Sequence, residues 1–188
     1  MTEYGQESLW RETATANAER ARDLVARLER RAKAEDEVAA RDTYLGLLGI
    51  ATGERVLDVG CGSGAVTREI ARRVGSRGLA VGVDPSPALL AAARELAQEA
   101  GVGDRVQFHE GNVLRLPFPA GSFDAVVRVT VLSHVPGAEA TGCRVAGAHG
   151  HLLSFAAATK PGICVQRSWS SCIGSTFLPW PSSNPRGW

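Results

Sequence analysis

Residues 56–67 read Val-Leu-Asp-Val-Gly-Cys-Gly-Ser-Gly-Ala-Val-Thr, and this stretch decides the fold of the chain. An apolar strand runs into three alternating glycines, Gly60, Gly62 and Gly64, and then into a helix-compatible sequence. Glycines remove Cβ atoms where a ligand must lie against the backbone, and the helix that follows presents unpaired N–H groups. The stretch therefore predicts a strand, loop and helix that bind a nucleotide-type cofactor.

Strand and helix signals alternate outward from this loop. We predict strands at residues 55–59, 79–83, 105–109 and 123–129, and helices at residues 65–74 and 87–101. Ser86 is a good N-cap for the second helix, and Pro87 is tolerated at its first position. Strand, helix and strand in succession form right-handed crossovers, so the sequence predicts an α/β fold with a doubly wound, mainly parallel sheet and helices on both faces.

The composition bounds the kind of protein. With 188 residues and 44% hydrophobic composition, the chain can bury the core of one domain. A net charge of +1 gives no electrostatic reason to expect nucleic acid or a membrane surface as a partner. The sequence shows no apolar run near the roughly 20 residues that span a bilayer and no secretion signal, so we expect a cytoplasmic protein.

The cysteines do not suggest a metal site. Cys61, Cys143, Cys164 and Cys172 have neither Cys-x-x-Cys spacing nor the Cys/His spacing of structural zinc. We therefore interpret them as reduced thiols and predict no bound metal.

The regions on either side of the alternating unit have a different character. Residues 1–42 are interpreted as a helical lid or cap, with a solvated charged helix as an equally good alternative. The apolar positions of its two helical stretches, about residues 13–41 and 35–48, are Leu24, Val25, Leu28, Val38, Tyr44, Leu45 and Leu48. Residues 43–155 form the predicted cofactor-binding domain, with a fifth strand at residues 151–155. We find no sixth or seventh strand, so the sheet is expected to be incomplete at its C-terminal edge and residues 156–188 to be an atypical, poorly ordered tail.

Two acidic residues stand at the ends of predicted strands. Asp58 lies on the same strand face as Gly60, where its carboxylate can order the loop or reach a cationic ligand group, although it can also simply cap the following helix. Asp84 ends the second strand, the position at which an acid accepts both ribose hydroxyls of a nucleoside in a doubly wound sheet. The alternative for Asp84 is a turn-forming role.

The glycine loop alone is weak evidence, because Gly60-x-Gly62-x-x-Ala65 also fits the loose dinucleotide fingerprint of nicotinamide enzymes. Three further features add specificity: the alternation of Asp58 with the three glycines, the step Gly111-Asn112-Val113, and Leu116-Pro117-Phe118 leading to residues 122–127. Together, residues 43–136 resemble the class I S-adenosylmethionine-dependent methyltransferases, particularly the group with small-molecule or lipid-quinone-like acceptors.

The resemblance implies a Rossmann-like fold, S-adenosyl-L-methionine as the cofactor, and in-line methyl transfer to a small-molecule acceptor. It makes Asp58, Gly60, Cys61, Gly62 and Gly64 cofactor-lining, with Asp84 on the ribose, Pro85 beside the adenine and Asn112 and Val113 at the adenine edge. Asn112 stands where the family most often has Asp, and its amide still offers an acceptor. Arg128 is a candidate partner of the cofactor carboxylate, with an exposed strand-end arginine as the alternative.

His134 is a candidate general base, and a packed or helix-capping histidine is the alternative. Two other functions remain open: a non-catalytic, degenerate relative that binds the cofactor, and a nicotinamide-dependent oxidoreductase. The Gly111-Asn112-Val113 match argues against the oxidoreductase. The sequence leaves the acceptor, the atom methylated and the oligomeric state open.

Overall fold

The computed structural model describes residues 18–112, 115–129, 152–153 and 163–167. The helices are α1 (Ala18–Ala32), α2 (Glu35–Leu48), α3 (Ala65–Val74) and α4 (Pro87–Glu99), and short 3₁₀ turns occupy Gly75–Arg77 and Gly103–Arg105. The strands are β1 (Arg55–Val59), β2 (Leu79–Asp84), β3 (Val106–Glu110), β4 (Ala125–Val129), β5 (Leu152–Leu153) and β6 (Ile163–Arg167).

The strands form one six-stranded sheet in the order β3-β2-β1-β4-β6-β5. The pairs β1 with β2, β1 with β4 and β2 with β3 are parallel. The order reverses at β1, so the carboxyl ends of β1 and β4 diverge around a crevice, the usual ligand position in open α/β sheets. The α/β fold class and the mainly parallel sheet predicted from the sequence are confirmed.

The predicted elements of the first half agree closely with the structure. The bounds of β1 and α3 are those predicted, and β2 extends one position further, through Asp84. The side chain of Ser86 caps α4 by accepting from the N–H of Leu89, with Pro87 at the first position, and Gly101 follows the helix with a left-handed φ of 67°. Strong local signals at caps and glycines explain this agreement.

Two apolar clusters hold the sheet, one on each face. The first includes Tyr44, Leu45, Ile70, Leu90 and Phe108 and lies beneath α2, α3 and α4. The second cluster comprises Leu57, Val59, Val81, Val83, Leu116, Phe123 and Val126. Alternate strand residues enter opposite clusters because successive side chains of a strand point to opposite faces. The exception to the predicted pattern is Val38, which is 36% exposed rather than part of the apolar side of α2.

The C-terminal edge differs from the prediction. The fifth strand was predicted at residues 151–155, but β5 covers only Leu152–Leu153 and pairs antiparallel with β6 at the sheet edge. Residues 163–167, for which no strand was predicted, form β6 and pair antiparallel with β4. This pairing joins segments far apart in sequence, so no local turn or helix signal announces it.

The second N-terminal helix, α2, crosses the domain boundary predicted at residue 42. The helix α2 continues without interruption to Leu48, where Gly49 ends it in a left-handed conformation. Within the part of the chain that the structure describes, no helix is both long and apolar enough to cross a bilayer.

Candidate functional site

The glycine loop between β1 and α3 is built by backbone geometry that favours glycine. Gly60, Gly62 and Gly64 have φ values of 75°, 54° and 77°, all in the left-handed region. The N–H groups of Gly60 and Cys61 both donate to the carbonyl of Val83, at 2.7 and 3.0 Å. The loop is thereby fixed to the carboxyl end of β2 and lies at the crevice where the strand order reverses.

Asp84 lies at the centre of this arrangement. One carboxylate oxygen, Oδ2, accepts from the N–H of Gly62 at 3.0 Å, and Oδ1 accepts from the N–H of Ser86 at 3.0 Å. The residue is 4% exposed. Burial raises the pKa of Asp84 above its ordinary value, and the N–H donors of Ser86 and Gly62 act in the opposite direction. Asp84 therefore connects the glycine loop to the start of α4.

Asp58 is buried beneath the loop. Its Oδ2 accepts from the Oγ1 of Thr67, in the first turn of α3, at 2.6 Å. Desolvation raises the pKa of Asp58 to about 7, the Thr67 hydroxyl lowers it, and the Asp84 carboxylate raises it further. The sequence left open whether Asp58 orders the loop, reaches a ligand or caps the following helix. The side-chain contact that the structure shows is to Thr67, in that helix.

Tight packing beneath the loop leaves little space for side chains. A Cβ atom added to Gly64 would lie 2.9 Å from Cζ of Phe108, and one added to Gly82 would lie 2.7 Å from Cδ1 of the same ring. The thiol of Cys61 is buried here, and its pKa is raised by that burial and by the carboxylates of Asp58 and Asp84. The ring of Phe108 thus supports the loop from below.

The helix α1 contacts the loop from the N-terminal side. The position of a Cβ on Gly62 lies 3.2 Å from Cδ1 of Leu28. Next to it, Arg68 donates through Nη2 to Oε2 of Glu29 and through Nη1 to the carbonyl of Ser63, both at 2.7 Å. No role was predicted from the sequence for Glu29, Arg68 or Thr67. The available signal was a basic residue, Arg68, within the buried stripe of α3.

The remaining candidates fall in different places. Asn112 is exposed just beyond β3, and Pro85 is half-buried between Asp84 and Ser86. Arg128 is 1% exposed, so the alternative of an exposed strand-end arginine is wrong, and its place in β4 puts it on the face of Val59 and Val126. Val113 and His134 lie outside the described residues.

Asp84 keeps acceptor capacity after its two backbone contacts. A carboxylate has about four acceptor positions, and the two N–H groups on Asp84 leave it with further lone pairs at the edge of the loop. Within the residues described, no group of three or more His, Cys, Asp or Glu residues is arranged to hold a metal ion.

Comparisons with known proteins agree with this geometry. Residues 56–146 match a family model described as a methyltransferase domain. Over 145 residues the chain is 32% identical to cycloartenol-C-24-methyltransferase of Arabidopsis thaliana, covering 77% of this chain and 39% of that protein. It is also 40% identical over 84 residues to 2-phytyl-1,4-naphtoquinone methyltransferase of Synechococcus elongatus, covering 45% of this chain and 36% of that protein.

A solved structure shares the fold. The geranyl diphosphate methyltransferase, determined with GPP and sinefungin, superposes with a TM-score of 0.54 at 27% identity, covering 59% of this chain and 43% of that one. The chain spans between 24% and 39% of the length of the first curated relatives that it matches. The loop, the strand order and these likenesses agree, and the chain carries a class I S-adenosylmethionine-dependent methyltransferase domain.

Proposed function

We propose that this chain binds S-adenosylmethionine across the carboxyl ends of β1 and β2 and transfers its methyl group to a small-molecule acceptor. The observation that carries the proposal is the carboxylate of Asp84. It is held in place by the N–H groups of Gly62 and Ser86 and retains acceptor capacity for the two ribose hydroxyls. Charge-assisted hydrogen bonds of this kind are the strong ones.

The chemistry asks the protein mainly for alignment. Bound S-adenosylmethionine supplies a methyl group already activated by its sulfonium. The chain's residues then bind and orient: the glycine loop allows close approach of the backbone, and Leu28 lies against Gly62 from α1. Holding two reactants in line accounts for a large part of the rate in such reactions.

Val113 and His134 lie outside the described residues, and their roles, like the ligand roles of Asn112, Pro85 and Arg128, enter the proposal from the sequence alone. His134 is the candidate general base toward an acceptor hydroxyl or acidic carbon. Val113, with Asn112 and Pro85, is assigned to the adenine side, and Arg128 to the carboxylate of the cofactor. Replacement of His134 by Ala is expected to lower kcat without changing cofactor affinity. Kinetics with an identified acceptor measure kcat, and calorimetry with S-adenosylhomocysteine measures the affinity.

The acceptor is proposed to be a small, largely apolar molecule. Support comes from the relatives, which are named for methylation of cycloartenol, other sterols and a phytylated naphthoquinone. A panel of sterols and isoprenoid quinones, assayed for S-adenosylhomocysteine formation, tests the class. A non-catalytic relative would bind the cofactor and yet form no S-adenosylhomocysteine with any acceptor.

The cofactor assignment is tested by calorimetry with S-adenosylhomocysteine and with NAD. We expect binding of S-adenosylhomocysteine and none of NAD, because the Gly111-Asn112-Val113 step matches the methyltransferases, whereas the ribose contact alone would suit either ligand. The Asp84→Ala variant should lose on the order of 2–4 kcal/mol of binding free energy, because two hydrogen bonds to a charged group disappear. Asp84→Asn keeps one acceptor oxygen and separates the loss of charge from the loss of loop support.

The control for this experiment is Asp104→Ala, which removes an aspartate whose side chain is 75% exposed. Its affinity for S-adenosylhomocysteine should equal that of the unchanged chain. Undiminished binding of S-adenosylhomocysteine by Asp84→Ala would refute the ribose role. Binding of NAD without binding of S-adenosylhomocysteine would favour the oxidoreductase.

A further inference from the structure

The guanidinium of Arg68 links the helix α1 to the glycine loop. Arg68 extends from α3 and donates to Oε2 of Glu29, in α1, and to the carbonyl of Ser63, in the loop, each at 2.7 Å. The neighbouring Leu28 reaches within 3.2 Å of the position of a Cβ on Gly62. Leu28 of α1 therefore lies beside Gly62 directly, and Glu29 is linked to Ser63 through Arg68 of α3.

We infer that Glu29 and Arg68 are positioning residues for the cofactor: their ion pair couples the docking of α1 to the conformation of the glycine loop. The inference rests on the proposed function, because it concerns the same site. Gly62 donates its N–H to Asp84, so displacement of Ser63 or Gly62 would move the N–H that orients the Asp84 carboxylate. The helix α1, which lies outside the sheet, thus affects the affinity for the cofactor.

The burial of the pair argues against a purely stabilising role. The side chains of Arg68 and Glu29 are 11% and 15% exposed, so both charges have lost most of their water. Oε1 of Glu29 is buried without a hydrogen-bond partner among the residues described. Desolvation offsets much of the attraction in such pairs, and an unsatisfied buried oxygen adds a further cost. Undocking of α1 returns these groups to water, whereas a ligand that needs the ordered loop favours the docked state.

The chain offers a matched control in the same helix. Arg73 of α3 bonds through Nη2 to Oδ1 of Asp42, in α2, at 2.9 Å. This pair also ties α3 to an N-terminal helix, but neither residue has a contact with the glycine loop among the bonds described. Asp42→Ala therefore removes a second helix-to-helix ion pair, with side chains 24% and 61% exposed, without touching the loop.

The experiment measures the Kd of S-adenosylhomocysteine by calorimetry on the full chain and on its variants. Glu29→Ala and Arg68→Ala should each raise the Kd about tenfold, within the usual range of coupling between sites. The double variant should be no worse than Arg68→Ala alone, because Glu29 acts on the loop through Arg68. Glu29→Gln keeps an oxygen for Arg68 and should remain within about threefold of the unchanged chain. Asp42→Ala should leave the Kd unchanged.

A second readout separates positioning from folding. Hydrogen exchange at the amides of residues 18–32 should slow when S-adenosylhomocysteine is added to the unchanged chain, because linkage is reciprocal. That protection should disappear in Glu29→Ala. If the alanine variants do not fold, Arg68→Lys carries the same test, since one ammonium cannot replace the fork that holds both Glu29 and Ser63.

The outcomes are distinguishable. No binding by the unchanged chain would overturn the proposed function itself. Binding by the unchanged chain with unaltered Kd in folded Glu29→Ala and Arg68 variants would overturn only the coupling. An equal loss in Asp42→Ala would also overturn it, because the effect would then reflect general loosening of the N-terminal helices.

Discussion

The two faces of the sheet bury different chemistry. On the face beneath α3 and α4, the carboxylates of Asp58 and Asp84 interrupt the apolar cluster, and each is hydrogen-bonded to the loop or to a helix start. The opposite face packs Leu57, Val81 and Phe123 in an apolar cluster. The first face therefore combines the larger apolar cluster with two hydrogen-bonded acids beneath the candidate site, whereas the buried residues of the second face, among those described, are apolar apart from one arginine of β4. Sites that break local rules in this way are where function is expected.

The largest expected effect comes from emptying the apolar face. Phe123 is 2% exposed, with its ring edge-on to Phe118 at a centroid distance of 5.0 Å. Phe123→Ala should lower the free energy of unfolding by about 3–5 kcal/mol through the cavity it leaves. Chemical denaturation measures the loss, and the affinity for S-adenosylhomocysteine should stay within about twofold. Phe108→Ala on the other face should cost similar stability and also weaken binding; equal loss of affinity in both would break the comparison.

A smaller effect is expected from crowding the space beneath the loop. Gly64→Ala should lower the free energy of unfolding by about 2–4 kcal/mol, since its left-handed backbone and the contact with Phe108 both oppose a side chain. Thermal unfolding measures the change. Gly101→Ala is the matched control, since its φ is +67° but nothing lies within 4 Å of its Cβ position; it should lose only about 1 kcal/mol. Equal losses would show that packing contributes nothing.

The acidic face should also give the protein a pH dependence. The pKa of Asp58 is raised to about 7 in the folded state, so between its ordinary value of 3.8 and 7 the folded chain holds a proton that the unfolded chain has released. Stability is then full below pH 4 for this group and falls as the pH rises through 7. Unfolding free energies should drop by about 2 kcal/mol between pH 5 and pH 7.

Denaturant titrations at several pH values check this slope. Asp84, whose pKa is also raised, contributes in the same direction. Asp58→Asn should flatten the profile while its amide oxygen still accepts from Thr67, and the exposed Asp104→Asn should leave it unchanged. A profile that rises between pH 5 and pH 7 and does not respond to Asp58→Asn would contradict the assignment.

The smallest effect concerns the cap of α4. The Oγ of Ser86 accepts from the N–H of Leu89 at 3.4 Å, so Ser86→Ala should lower the free energy of unfolding by about 0.5–1 kcal/mol. Its backbone N–H still reaches Asp84, so affinity for S-adenosylhomocysteine should be preserved. Thermal unfolding measures the stability, and calorimetry on the same sample measures the affinity. Lost affinity would mean that the cap, and not only the backbone, orients Asp84.

The sequence predicted the parallel part of the sheet well because its signals are local. Gly60, Ser86, Pro87 and Gly101 each mark a turn or a cap by their own chemistry. The strand β6 was missed because its place beside β4 depends on pairing between Val127 and Val165, residues distant along the chain. Register between such segments leaves no trace in a short window of sequence.

The candidate site was predictable in part for the same reason. Asp58 and Asp84 stand out as acids at the ends of apolar runs. Thr67, Arg68 and Glu29 were not predictable, because their importance comes from the packing of α1 against α3 rather than from spacing. An arginine within the buried stripe of a helix is the pattern to look for.

The buried thiol of Cys61, beneath the loop, can report how often the loop opens. A thiol that is shielded from water and holds its proton reacts with an alkylating agent only while its surroundings transiently open. The rate at which iodoacetamide modifies Cys61 therefore measures how often its surroundings open. A nucleoside bound at saturation against the neighbouring backbone should make these openings rarer and so slow the alkylation of Cys61. Mass spectrometry of the peptide that contains Cys61 would then report occupancy of the cofactor site without an identified acceptor.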